Sequence, residues 1–178
     1  MSFHTEESIR TETLIAIAKK MMLAARTAPK ARGIDNMEIA LVENHDIEMI
    51  SKRMKKIGEE SKSPSILRDA DNILQATVIV LIGTKIKTIG LKKCGLCGFK
   101  NCNEKEKYPD VPCAFNTGDL GIAIGSAVSV AMDHRVDNRI MYSVGMAVTE
   151  MGLLGKDVKI VYGIPLSATS KNPFFDRK

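Results

Sequence analysis

Four cysteines, Cys94, Cys97, Cys102 and Cys113, fall within the single run CGLCGFKNCNEKEKYPDVPC, and the chain has no others. Nothing is distributed to staple distant parts of the fold, which excludes a disulfide scaffold and turns attention to metal or redox chemistry. Four thiolates in one short loop can enclose a soft metal centre: an iron–sulfur cluster, zinc or copper(I). Zinc sites tend to combine two C-x2-C knuckles or to add histidines. Here only Cys94 and Cys97 form a knuckle, and no histidine lies between Cys94 and Cys113. A cubane cluster takes three closely spaced cysteines and a fourth from further along, which is the layout Cys94-x2-Cys97-x4-Cys102-x10-Cys113. Gly95 and Gly98 directly follow the first two ligands and let the backbone fold over a cluster with amides turned toward sulfur. The run therefore predicts one 4Fe–4S cluster held by Cys94, Cys97, Cys102 and Cys113. Three other readings use the same residues: a zinc site in a non-enzymatic interaction domain, a thiol–disulfide pair at Cys94 and Cys97, and inert buried cysteines. Lys92, Lys93 and Lys100 would offset a cluster's negative charge and steer an acidic redox partner, or else simply solvate the loop.

The elements around this run read as α+β. Residues from Thr5 to about Thr27 place Leu14, Ile17, Ala18, Met21, Met22 and Ala25 at three-four spacing, an amphipathic helix ended by Pro29 and Gly33. Met37 to Glu43 alternates as a strand. A helix from about Asp46 presents Ile47, Ile50, Met54 and Ile57 on one face, and a shorter one spans about Ile66 to Gln75. Val78 to Ile82 is an unbroken apolar run, as expected of a strand buried on both faces. Residues 83–117 lose periodicity and form an inserted cysteine-rich module within a single domain, 1–178. Leu120 to Met132 is a helix apolar on nearly all sides, placed at the centre of the fold, with Gly121 and Gly125 permitting a close neighbour. A further helix carries Ile140, Val144, Ala147, Val148 and Met151. Val158 to Ile164 is a last strand, stopped by Pro165. Together these predict a small mixed sheet with a buried central helix.

Composition narrows the function. With 178 residues, 44% hydrophobic and 26% charged, the chain can bury a core. The net charge of +5 is spread among acids, without the dense basic stripe and interleaved aromatics of a nucleic-acid binder, so no nucleic-acid partner is expected. The start MSFHTEESIR lacks a secretory layout. The apolar stretch Leu120 to Met132 is well short of the ~20 residues that cross a bilayer, so a cytoplasmic protein is expected. No Ser-His-Asp arrangement or HExxH supports a hydrolase. The polar knot Asp133-His134-Arg135-Val136-Asp137-Asn138-Arg139 reads as an ion-pair network or helix bend, with part of a ligand pocket as the sharper reading. His4 and His45 read as surface or capping residues.

Three resemblances add to this. LKKCGLCGFKNC resembles the small CGxCGxxxC 4Fe–4S domain of corrinoid iron–sulfur proteins and of an electron-transport B subunit, although there the fourth cysteine generally lies further on than Cys113 does. Over its length, through LAARTAPKARGID, CGLCGFKNC, CAFNTGDLGIAIGSA, DHRVDNRIMYSVG and GIPLSATSKNPFFDR, the chain resembles the uncharacterised ferredoxin-domain-containing proteins of anaerobic bacteria and archaea. The segment Arg26 to Gly33 and Tyr162-Gly163-Ile164-Pro165 are similar to nitroreductase-like flavoproteins, and this likeness implies a nitroreductase-like scaffold and a homodimer. It also implies FMN as a possible cofactor, with Lys30 and Arg32 on the flavin phosphate. The family's Ser, Asn, Gln and Trp are replaced here by Lys30, Gly33, Asp35 and Met37. The sequence thus predicts an iron–sulfur redox protein with an unidentified redox partner, an electron carrier or, with flavin, a small oxidoreductase of unknown substrate.

Overall fold

The computed structural model describes residues 2–175. The chain runs α1 (Glu6–Thr27), β1 (Met37–Glu43), α2 (His45–Glu60), α3 (Pro64–Ile73), β2 (Val78–Lys85), α4 (Cys102–Lys105), α5 (Ala114–Asp133), β3 (Asp137–Asn138), α6 (Tyr142–Met151) and β4 (Val158–Ser167). The strands form one sheet in the order β1-β2-β4-β3.

Period-two alternation in β2 explains its unbroken apolar sequence. Val78, Val80 and Ile82 enter a core with α1 and α5, while Ile79 and Leu81 enter a second core with α2, α3 and α6. The sheet is therefore the middle of three layers. Every neighbouring strand pair is antiparallel, which refines the expected mixed sheet. Two helices separate β1 from β2, so the chain reverses once more than in a single βαβ crossover.

Two expected boundaries move. β4 continues through Pro165 to Ser167, pairing Pro165 with Ile79. Proline survives because Gly163, of the same parity, turns both its backbone groups toward Met141, on the β3 side. The donor missing at Pro165 faces that same short edge, and the β2 ladder is intact. The inserted module is also narrower than 83–117. Gly83 and Thr84 belong to β2, where Gly83 sits against Val158 and Val161, and Ala114 to Thr117 open α5.

α5 packs on α1 and the sheet through Leu120, Ala123, Ile124, Ala127 and Ala131. Its apolar character exceeds what that face buries: Ile122 and Met132 are exposed, and Gly118, Gly121 and Gly125 meet open space. The Asp133–Arg139 knot divides into two structural devices. His134 caps the end of α5 by contacting the Val130 carbonyl, and Arg135 turns the chain with φ 56°. Arg139 donates to the buried carboxylate of Asp69 and to the Phe174 carbonyl, and lies over the Phe175 ring. His4 is exposed, and the exposed His45 faces Glu48 on the first turn of α2. Among the described residues no helix is long and apolar enough to cross a membrane.

Candidate metal centre

Between β2 and α5, residues 86–113 have only α4 as regular structure. Side chains and backbone from both flanks fix this loop. Asn116, on the first turn of α5 and buried, accepts from the Lys87 amide at 3.0 Å. Arg32 donates to the carbonyls of Ile89 at 2.9 Å and Gly90 at 3.0 Å. Arg32 and Gly33 both take positive φ, 56° and 68°, a reversal that costs a non-glycine residue about 1 kcal/mol or more. The loop then holds itself together. Thr88 donates to Glu106, Asn101 caps α4 at the Glu104 amide, and Phe99 stacks on Tyr108 with centroids 5.2 Å apart. Ile89 is buried beneath it.

Inside this frame Cys94, Cys97, Cys102 and Cys113 line one small, partly open cavity, with Ile89, Phe99 and Phe115 among its apolar walls. Cys113 is the N-cap of α5 and buried, Cys102 opens α4, Cys97 is half-buried and Cys94 is exposed. All four are free thiols. Gly95 and Gly98 have φ of 123° and 85°, backbone that ordinary L-residues avoid, and the Gly98 amide donates to the Gly95 carbonyl. Among the described residues no three metal-ligating side chains are drawn together tightly enough to hold an ion by themselves. Metal loops commonly close only on binding, because ligand convergence and metal affinity are coupled.

Lys30 and Arg32 are each engaged by backbone carbonyls. The Lys30 ammonium donates to the carbonyls of Ala25, Arg26 and Ala28, closing the C-terminal end of α1. Burial pushes its pKa down, partly opposed by Asp35 and Asp119. At Asp35 burial acts upward, but the Arg26 hydrogen bond, the Met37 amide and the charges of Arg26 and Lys30 hold the carboxyl below its ordinary value. Beside the cysteine cavity, Pro29, Lys30, Ala31, Leu96, Phe115 and Ile122 line an open cleft of about 470 Å³.

Three polar residues went unremarked in the sequence. Asn116 and Asp119 lie on one face of α5, three residues apart, and anchor the loop and the Ala31 amide respectively. Polar side chains at that spacing beside an apolar helix were a readable signal. The third, Lys105, lines the cysteine cavity while only 3% exposed. Its run, NEKEK, carries every mark of solvated charge.

Removing the Arg32 clamp tests how the loop is anchored. Arg32→Met leaves two loop carbonyls unpaired at a cost of about 1–3 kcal/mol. Amides between 86 and 95 are expected to exchange roughly tenfold faster or more, with the sheet amides unchanged. Unchanged exchange in the loop would show that the clamp is incidental.

The profile of a family described as "Uncharacterized protein containing a ferredoxin domain (DUF2148)" matches residues 109–177, a stretch that includes Cys113. A protein from Archaeoglobus fulgidus, described as an uncharacterized protein, is 39% identical over 180 residues, spanning 97% of this chain and 96% of its own length. This chain belongs to the ferredoxin-domain family. The fold of this ferredoxin-domain protein is nitroreductase-like. A nitroreductase with bound FMN from Bacteroides fragilis superposes with a TM-score of 0.61 at 12% identity, covering 92% of this chain and 81% of that one. A nitroreductase family protein from Clostridium novyi gives 0.58 at 13% identity, covering 86% and 73%. At such identities the ferredoxin-domain protein shares their fold alone.

Proposed function

We propose that the protein is an iron–sulfur redox protein that holds one 4Fe–4S cluster on Cys94, Cys97, Cys102 and Cys113 and exchanges single electrons with a partner. The observation that carries this reading is that all four cysteines, from a loop, the start of α4 and the N-cap of α5, line one partly open cavity. The donor set fits the group: four soft thiols, apolar walls and two glycines with backbone turned at positive φ between the ligands. When bound, the cluster would supply reversible one-electron chemistry. The chain's own share is to deliver the thiols, keep bulk water from the buried side through Ile89, Phe99 and Phe115, and leave one face open. Cys94 and Leu96 are exposed on that face, next to the cleft, which gives a partner a short approach.

FMN fits less well. Lys30 and Arg32, the residues that would grip its phosphate, are already engaged: the Lys30 ammonium donates to three backbone carbonyls and the Arg32 Nη1 group to two more. The protein is therefore a carrier working through its cysteine site.

Anaerobic reconstitution with iron and sulfide, followed by metal and acid-labile sulfide analysis, tests the reading. Bound iron with matching sulfide and broad visible absorption is the expected result. A colourless chain holding zinc would replace it with the interaction-domain reading, and flavin released on denaturation would restore the oxidoreductase version.

A further inference from the structure

We propose that Lys105 is the buried counter-charge of the cysteine site, a positioning residue that raises the reduction potential of the centre held there. The inference rests on the iron–sulfur reading and deepens it. Lys92, Lys93 and Lys100, the lysines nearest the first three cysteines in sequence, are all exposed, where water and salt screen them. Lys105 closes the short α4, three residues beyond Cys102 and so on the same side of its turn. It is 3% exposed and shares a cavity with all four cysteines.

Lysine is almost never buried without an anionic partner, because desolvating an ammonium costs several kcal/mol. Among the described residues the Lys105 ammonium has no hydrogen bond and no carboxylate within ion-pair distance, although it lies between two glutamates in sequence; its stem is buried and its nitrogen keeps only a small contact with solvent. Both glutamates are engaged elsewhere. Glu104 accepts from the Lys100 amide at 2.6 Å, and Glu106 accepts from the Thr88 hydroxyl at 2.6 Å. The anion missing from this arrangement is what four thiolates around an iron–sulfur core would supply. Such a centre is negatively charged and gains one further negative charge on reduction. A cation fixed in the cavity wall therefore favours the reduced form over the oxidised one, and is less screened there than the fully exposed lysines are.

The test compares the full-length wild type with Lys105→Met, similar in bulk but neutral, and Lys105→Arg, which keeps the charge. Each is reconstituted anaerobically, assayed for iron and sulfide, and titrated spectroelectrochemically. Lys105→Met is expected to shift the reduced-to-oxidised ratio at fixed poise roughly 10- to 100-fold toward oxidised, about 60–120 mV for one electron. Lys105→Arg is expected to stay near the wild type. An unchanged midpoint in a fully loaded Lys105→Met overturns the proposal, as does an equal shift in both variants. If Lys105→Met folds by circular dichroism but cannot retain iron while Lys105→Arg can, the requirement for charge appears in loading itself and supports the proposal. Failure of both to load overturns it. A wild type that takes up no iron and sulfide brings down the cluster reading, and this inference with it, before any variant is compared.

Discussion

Cys97→Ser is expected to empty the cysteine site while the helices and sheet stay folded. Cys97 is half-buried and sits between Gly95 and Gly98, in the turn that brings the first two thiols to the cavity. A serine hydroxyl is a hard, weakly acidic donor that poorly replaces a thiolate on a soft centre. Bound iron and sulfide after desalting should fall roughly tenfold or more, since ligand binding and loop closure are one equilibrium. The scaffold should not follow. Both hydrophobic cores are built from α1, α2, α3, α5, α6 and the sheet, with no buried member from residues 86–113. The loop hangs on hydrogen bonds from Arg32 and Asn116 rather than on either core. Thermal unfolding followed by far-ultraviolet circular dichroism should therefore change little, while hydrogen exchange across 86–113 accelerates. Loss of cooperative unfolding in Cys97→Ser would show that the cysteine loop is part of the scaffold and not a module upon it.

How much of this was legible in the sequence depended on how local each signal was. β2 announced itself because every residue of Val78–Ile82 is apolar, and both faces are buried as that pattern requires. The cysteine spacing identified residues that do share one cavity. Pro165 misled because its cost depends on which edge of the strand lacks a partner, and that is set by the distant residue Met141. For Lys30 and Arg32, which the flavoprotein likeness places on a phosphate, a sequence shows charge but not which donors are engaged. Here carbonyls at the end of α1 engage the Lys30 ammonium, and those of Ile89 and Gly90 engage the Arg32 Nη1 group. Lys105 was invisible for the opposite reason. In NEKEK it resembles its neighbours, and only the folding of Glu104 and Glu106 toward other donors leaves it alone in the cavity wall.

Gly145→Ala should produce the reverse of Cys97→Ser: a weakened scaffold with an intact site in whatever remains folded. α6 lies directly on β4, and an added Cβ at Gly145 would stand 1.7 Å from the Val161 carbonyl oxygen. No flexible side chain can yield there, because the obstacle is the backbone of a strand paired to β2. The opposite wall is equally tight. A Cβ on Gly163 would meet Val144, so two glycines seat the helix on the strand from both sides. Either α6 lifts, opening the core of Val144, Ala147 and Val148, or β4 bends away from β2. Overpacking against rigid backbone costs about 3 kcal/mol or more, which for a domain of this size lowers the melting temperature by roughly 6–12 °C. None of the residues lining the cysteine cavity belongs to α6 or β4, so iron content per folded chain should match the wild type. A melting temperature within a degree or two of wild type would mean that α6 is free to move off β4, and the close seating would not be a constraint on the fold. Equal losses of iron and stability would instead tie the site to the sheet and contradict the separation that Cys97→Ser is meant to expose.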